Sequence, residues 1–211
     1  HGVIFSGTGS YDFTPGAVSR LGWVVGGLSY PENYTPATPG VIKTSYTYIR
    51  DLVNQNNITP INLNTLSNCS NPASSCSLPA NLANGVYTSD GDVILTAANY
   101  NFPAGRDFVI MVRGDLRLNG EIHVPVGSTV LFTVQDDITV DRSVGVANSD
   151  SASPQIEGWY SADNNFTLLG IKNCPTPDLR LNAEGAIVVN ASLSGGSFSY
   201  DNRDLCAAGS R

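Results

Sequence analysis

The sequence predicts an all-β protein: a right-handed parallel β-helix (a solenoid) with rungs of about 22 residues and an N-terminal cap that contains a helix. Three observations predict this fold. A strand–turn–strand pattern recurs through the second half of the chain, its apolar positions fall into columns, and the first 84 residues lack the pattern. A period near 22 with about three short strands per turn is the length of one coil of a parallel β-helix.

Each repeat unit has a short turn followed by an apolar-x-apolar triplet. The first residues of the five triplets are Val93, Leu116, Ile138, Phe166 and Ile187, and the last are Leu95, Leu118, Val140, Leu168 and Val189. The spacings are 23, 22, 28 and 21, and the longest interval contains an inserted loop, 148–154. Because alternating apolar residues face one side of a strand, each set predicts an inward column. A third column is predicted at Tyr87, Ile110, Phe132, Tyr160 and Leu181. The alternative is an antiparallel sandwich, which would need no common period.

Residues 1–84 form the predicted cap and residues 85–211 the predicted solenoid domain. Thr38 and Pro39 provide a helix start, and apolar residues between Val41 and Val53 fall largely on one helical face. The helix is therefore expected at about 40–54. Because a solenoid exposes the apolar columns of its terminal rungs, we expect this helix to cover the N-terminal end.

The four cysteines predict two disulfides. Cys69 and Cys76 flank a loop of small residues that can fold back on itself, which leaves Cys174 and Cys206 as the second pair. Four cysteines allow three connectivities, and a four-cysteine metal site is the alternative, although no Cys-x-x-Cys occurs. Disulfides form in oxidising compartments, so we expect an extracellular or cell-surface location.

The composition limits the partners of the chain. Eighteen acidic against eleven basic residues give a net charge of −7, and only 14% of residues are charged. An acidic chain lacks the basic surface that binds nucleic acid. No stretch approaches the roughly 18 apolar residues of a membrane span, so we expect no membrane insertion in this segment.

Aspartates at the predicted turns are the candidates for chemistry. Asp92, Asp115 and Asp137 fall in one column on three successive rungs. Carboxylates one rung apart, about 4.8 Å, have nearly the separation used by retaining glycosidases, so they are candidate catalytic residues. With Asp90 and Asp136 they are also candidate calcium ligands. The competing interpretation is structural, because aspartate is common at turns for its backbone geometry. We assign no catalytic residue and expect no cofactor other than this calcium.

Trp159 is the candidate ligand-binding residue. Aromatic side chains can stack on sugars, and Tyr100, Trp159, Tyr160 and Tyr200 are the candidates for a sugar-stacking strip. Tyr160 fits an inward column, whereas Trp159 is outward in register. His123 is also outward, between Ile122 and Val124, and is interpreted as a surface residue.

Several segments resemble a group of uncharacterised exported bacterial proteins, familiar from predicted Patescibacteria-type cell-surface proteins. The matching segments are 85–93, 113–120, 123–128, 156–163 and 195–205, with Leu21-Gly-Trp-Val-Val25 upstream of the repeats. The likeness covers about Gly22 to Leu205. It implies a surface or extracellular β-solenoid module within a larger chain, and it carries over no catalytic residue.

These observations predict a non-enzymatic structural or adhesive module at the cell surface, with a surface filament or stalk as one form of it. Its partners would be further copies of itself or other surface proteins. The alternative is a β-helix that binds or cleaves carbohydrate, in which case an enzyme would be a polysaccharide lyase or a glycoside hydrolase.

Overall fold

The structure is a computed structural model that describes residues 2–6, 23–27, 42–96, 99–147, 153–171 and 178–199, the first two ranges as backbone only. Within these ranges, α-helix α1 spans Tyr46–Gln55 and a 3₁₀-helix spans Leu63–Thr65. The strands of these ranges are β1 Gly2–Ser6, β2 Trp23–Gly27, β3 Ile61–Asn62, β4 Gly85–Ser89, β5 Val93–Leu95, β6 Asn99–Asn101, β7 Asp107–Val112, β8 Leu116–Leu118, β9 Glu121–His123, β10 Thr129–Val134, β11 Ile138–Val140, β12 Ile156–Ala162, β13 Phe166–Leu168, β14 Ala183–Val189 and β15 Phe198–Ser199.

The strands stack in parallel as a β-solenoid of about five turns, which confirms the predicted fold class. The main sheet has the order β2-β1-β14-β12-β10-β7-β4-β3, and a second sheet has the order β15-β13-β11-β8-β5. A short third face is formed by β6 and β9, and β9 reaches the main sheet through Ile122 and Ile156. Turns connect one face to the next within each rung, so side chains from all faces meet in a single core.

The predicted inward columns are confirmed over four rungs. Val93, Leu116, Ile138 and Phe166 stack in register, as do Leu95, Leu118, Val140 and Leu168, and the third column runs through Tyr87, Ile110, Phe132 and Tyr160. The rings of Phe132 and Tyr160 stack at 5.0 Å. Burying such columns provides the apolar stabilisation of the solenoid.

The fifth rung was predicted in the wrong register. Ile187 stacks on Tyr160, in the third column, and Phe198 follows Phe166 in the first. Leu181 and Val189 therefore do not continue the columns to which they were assigned. The error has a physical cause. In the fifth rung the first-column residue Phe198 comes 11 positions after the third-column residue Ile187, against six from Tyr160 to Phe166. Alternation of apolar residues cannot distinguish one inward strand from another of the same rung.

The Cys69–Cys76 disulfide is present, and its loop builds the rung before β5. The Cys76 N–H donates to the carbonyl of Ile94 at 2.8 Å, and the Ile94 N–H donates to the carbonyl of Pro72 at 2.8 Å. Both cysteines are fully buried beside Leu63 of the 3₁₀-helix, so this loop closes the end of the core. Cys174 and Cys206 lie outside the described residues.

Helix α1 lies on the outer face of the main sheet instead of over the end of the solenoid. Ser45 caps it, and its buried residues Tyr46, Ile49 and Val53 pack with Met111. Val86, Val109 and Leu131 of β4, β7 and β10 border this contact. The expected end position assumed that outward strand positions are polar. Met111, Val86, Val109 and Leu131 make much of the outward surface of these three rungs apolar, and that surface receives the helix. Thr38 and Pro39, the expected helix start, lie outside the described residues.

The first two strands of the segment predicted as the cap extend the main sheet at its opposite end. β1 pairs with β14 in parallel, from Gly2–Gly185 to Ser6–Val189, and β2 pairs with β1. The N-terminal part of the chain therefore adds two strands beyond the last rung. Sequence reasoning missed them because it interpreted residues 1–84 as a cap that lacks the repeat.

Candidate functional site

The predicted aspartate column forms a ladder along one corner of the solenoid. Asp92 Oδ1 accepts the backbone N–H of Asp115 at 2.9 Å, and Asp115 Oδ1 accepts that of Asp137 at 3.0 Å. Asp137 Oδ1 in turn accepts the backbone and amide N–H groups of Asn165 at 3.0 and 2.9 Å. The ladder ends where Asn165 Oδ1 accepts the N–H of Ser197 at 2.9 Å. Each side chain thus fixes the turn of the next rung.

The ladder concentrates negative charge at this corner. Partial burial and the neighbouring carboxylates of Asp115, Asp137 and Asp92 raise the pKa of Asp136 above its usual range. No group of three or more His, Cys, Asp or Glu residues in the described ranges is placed to hold a metal ion. None of the five aspartates predicted as calcium ligands, which are Asp90, Asp92, Asp115, Asp136 and Asp137, belongs to such a group. What the corner supplies is a row of acceptors for backbone N–H groups.

Among the side chains that the structure describes on the outer face of the main sheet, Trp159 is the most exposed large apolar one. It is 52% exposed, and it lies between Leu131 of β10 and Ala186 of β14 in the register of the strands. Leu131 is followed in the same outward row by Val109. Helix α1 packs against Val109 and Leu131, and beyond the helix the same row continues to the exposed indole of Trp159 and to Ala186.

The other predicted aromatic candidates do not join Trp159. Tyr100 is buried, and its hydroxyl donates to the carbonyl of Pro79 at 3.0 Å. Tyr160 is also buried and belongs to the core, as its column predicted. Tyr200 lies outside the described residues. Among the aromatic candidates that the structure describes, Trp159 is therefore the exposed one, and neither Tyr100 nor Tyr160 lies beside it on the surface.

A half-buried polar cluster lies two residues along β12 from Trp159. His123 Nε2 is 3.2 Å from Glu121 Oε2, and His123 Nδ1 is 3.7 Å from Glu157 Oε2. Glu157 Oε2 also accepts the backbone N–H of Val124 at 2.6 Å. Sequence reasoning placed His123 on the surface but missed this cluster, because Glu157 comes from the next rung. The alternation Glu121-Ile122-His123 did indicate that Glu121 and His123 share one face of a strand, which is the Glu121–His123 part of the cluster.

A second group missed by sequence reasoning is Asp163, which is buried at the first turn of α1. Its Oδ1 accepts the backbone N–H of Tyr46 at 3.0 Å. Two further bonds fix the same point, because Thr133 Oγ1 donates to the carbonyl of Thr44 at 2.8 Å and Ser161 Oγ donates to Thr44 Oγ1 at 3.0 Å. Burial raises the pKa of Asp163 to about 6, against the lowering effect of the Tyr46 bond.

Comparisons of this chain with known protein families, curated proteins and solved structures find no match. Of the helical residues described, none belong to a helix of the length and apolar character that a membrane span requires.

Proposed function

We propose that this chain is a non-enzymatic structural and adhesive module of the bacterial cell surface, with a filament or stalk subunit as its assembled form. The observation that carries the proposal is the outward apolar row that contains the exposed Trp159. A large indole left in water next to other partly exposed apolar side chains is typical of a contact surface. The resemblance of the repeats to exported surface proteins supports the same role.

The use of polar side chains is consistent with a structural role. The aspartate ladder binds one rung to the next by side-chain acceptors, in addition to the backbone bonds of the sheets. The disulfide loop closes one end of the core. Rungs joined in this way make a stiff rod whose outer faces keep a constant spacing, which suits a spacer or a filament subunit. The disulfide is also consistent with an oxidising, extracellular location.

Sedimentation velocity and electron microscopy over a range of protein concentrations test the proposal. We expect self-association or binding to bacterial cell surfaces, and a several-fold loss of either in Trp159→Ala. Ile171→Ala is the matched control, because Ile171 is also an exposed apolar residue, at 45%. A strictly monomeric protein that binds no surface at high concentration would contradict the proposal, and so would equal loss in both variants.

Carbohydrate binding is the second candidate, favoured by the position of Trp159 beside Glu157 and His123. An indole can stack on a sugar ring while nearby carboxylate and imidazole groups bind its hydroxyls. A glycan array would show binding that Trp159→Ala removes. A reducing-end assay on acidic polysaccharides tests for cleavage, which must be lost in Asp115→Asn and Asp137→Asn if the aspartates are catalytic. An empty array and no cleavage would exclude this candidate.

A further inference from the structure

The first strand of the chain repeats the motif of the last rungs. In the register of the main sheet, Gly2 lies on Gly185, which lies on Gly158. The apolar residues that follow each glycine also align, with Val3-Ile4 on Ala186-Ile187 and these on Trp159-Tyr160. By sequence, β1 therefore has the same Gly-apolar-apolar pattern as the strand that it extends.

The glycine column fixes this register. Gly185 has a φ of +127°, and a Cβ on it would lie 1.9 Å from the carbonyl oxygen of Gly158. Only glycine therefore fits where β14 stacks on β12, and Gly2 continues the column onto β1. A shift of β1 by one residue would also turn every side chain to the opposite face of the sheet. The pairing of β1 on β14 thus continues the glycine column and the register of β14 on β12.

The positions of β2 and α1 set the distance that the chain between them has to cross. The start of α1 is bonded to Asp163, which follows β12, and β2 lies three strand positions from β12, about 15 Å away. Fourteen residues, 28–41, separate β2 from the next described segment, and a chain of that length can span up to about 50 Å when extended. That length does not by itself restrict β1 and β2 to the β14 edge of their own molecule.

We propose that strands β1 and β2, here called the N-terminal arm, act as a strand donor that fills the β14 edge of a second copy of the chain. The backbone bonds and the glycine column are identical whether the arm comes from the same molecule or from another. Each copy has one arm and one acceptor edge, so reciprocal exchange would close a dimer, whereas donation to a further copy joins molecules head to tail in an open series, as the filament form requires. This inference rests on the filament form of the proposed function and specifies how subunits would be joined.

Trapping by cysteine pairs tests the proposal. Val3 and Ala186 are directly paired, and neighbouring strands bring Cα atoms within the range that a disulfide bridges. A Val3→Cys chain and an Ala186→Cys chain are mixed, unfolded and refolded together, then oxidised. We expect a disulfide-linked heterodimer, with the 3–186 linkage identified by mass spectrometry of its peptides, so that other cysteines do not confuse the result.

Glu184→Cys provides the matched control, because Glu184 lies on the same face of β14 but two residues out of register and is exposed. It should give several-fold less heterodimer with Val3→Cys. Two outcomes would overturn strand exchange: equal yields from the two mixtures, or a Val3→Cys/Ala186→Cys double variant that closes only within one chain and mixtures that give no heterodimer. Filaments seen by microscopy together with either outcome would leave the proposed function standing without this joint.

Discussion

The carboxylate of Asp163 accepts the backbone N–H of Tyr46 at 3.0 Å, which joins the first turn of α1 to a solenoid turn 117 residues later. A carboxylate at the start of a helix is favoured by the helix dipole. Here the group is also buried, and this raises its pKa from an ordinary value of 3.8 to about 6. The helix is therefore fixed to the sheet by a group that titrates in the weakly acidic range.

The raised pKa makes stability depend on pH in a defined direction. The folded state binds the Asp163 proton more tightly than the unfolded state, so this contribution is fully present below about pH 4 and is lost as pH rises through about 6. We predict that Asp163→Asn, whose amide oxygen can still accept the Tyr46 N–H, is at least as stable as the wild type at pH 7 to 8. Urea unfolding from pH 4 to 8 should show a flatter pH profile for the variant.

Asp51→Asn is the control for this measurement, because Asp51 is an exposed carboxylate on the same helix. Its profile should follow the wild type. Asp136 also has a raised pKa and lies close enough to raise that of Asp163, so Asp136→Asn should flatten the profile in part. An Asp163→Asn profile as steep as that of the wild type would contradict the assignment.

The aspartate ladder predicts different effects for two substitutions at one position. Asp115→Ala removes the acceptor for the Asp137 N–H and should lower the free energy of unfolding by about 1 kcal/mol. Asp115→Asn keeps an acceptor and reduces the crowding of negative charge, so it should be neutral or stabilising. Asn165 already fills the equivalent position and accepts the Ser197 N–H. Chemical denaturation compares the two variants, and equal losses would argue against the ladder.

The Cys69–Cys76 disulfide should stabilise the end of the solenoid. For a loop of this length, cross-linking contributes about 2–3 kcal/mol in the chain-entropy model. A Cys69→Ala/Cys76→Ala variant should lose about that much and also expose the N–H of Ile94 to hydrogen exchange. The N–H of Phe166, several rungs away, is the internal reference. Uniform loss of protection at both sites would mean that the loop does not act as a local cap.

Gly185 is predicted to tolerate no side chain. Gly185→Ala places a Cβ against the carbonyl of Gly158 at a positive φ, and we expect a loss of more than about 2 kcal/mol or failure to fold. Gly105→Ala separates the effect of the positive φ from that of the Cβ contact, since Gly105 has a φ of +67° with open space around its Cβ position. It should lose about 1 kcal/mol. Thermal unfolding of both proteins measures the difference, and similar losses would attribute the effect to φ alone.

The columns were predictable because stacking rungs repeat the same inward positions, as Phe132 on Tyr160 shows. The register of the fifth rung was not predictable, because the longer segment between Ile187 and Phe198 breaks the period. The position of α1 was not predictable, because the inward assignment of Ile110 makes Met111 outward but does not say that a helix packs on it. The Asp163–Tyr46 bond and the contact of Glu157 with His123 join distant parts of the chain, and no local pattern marks such pairs. Trp159 could be assigned to the outer face from register alone.

The pairing of Gly2 with Gly185 sets an order for synthesis and folding. β1 precedes almost all of the solenoid in the chain, yet its partner strand is among the last described elements. During translation the edge of β1 that pairs with β14 must stay unfilled while rungs β4 to β12 form, because contacts so distant in sequence are closed late. For that interval every nascent chain carries a strand with one open edge, which is filled only after β14 leaves the ribosome.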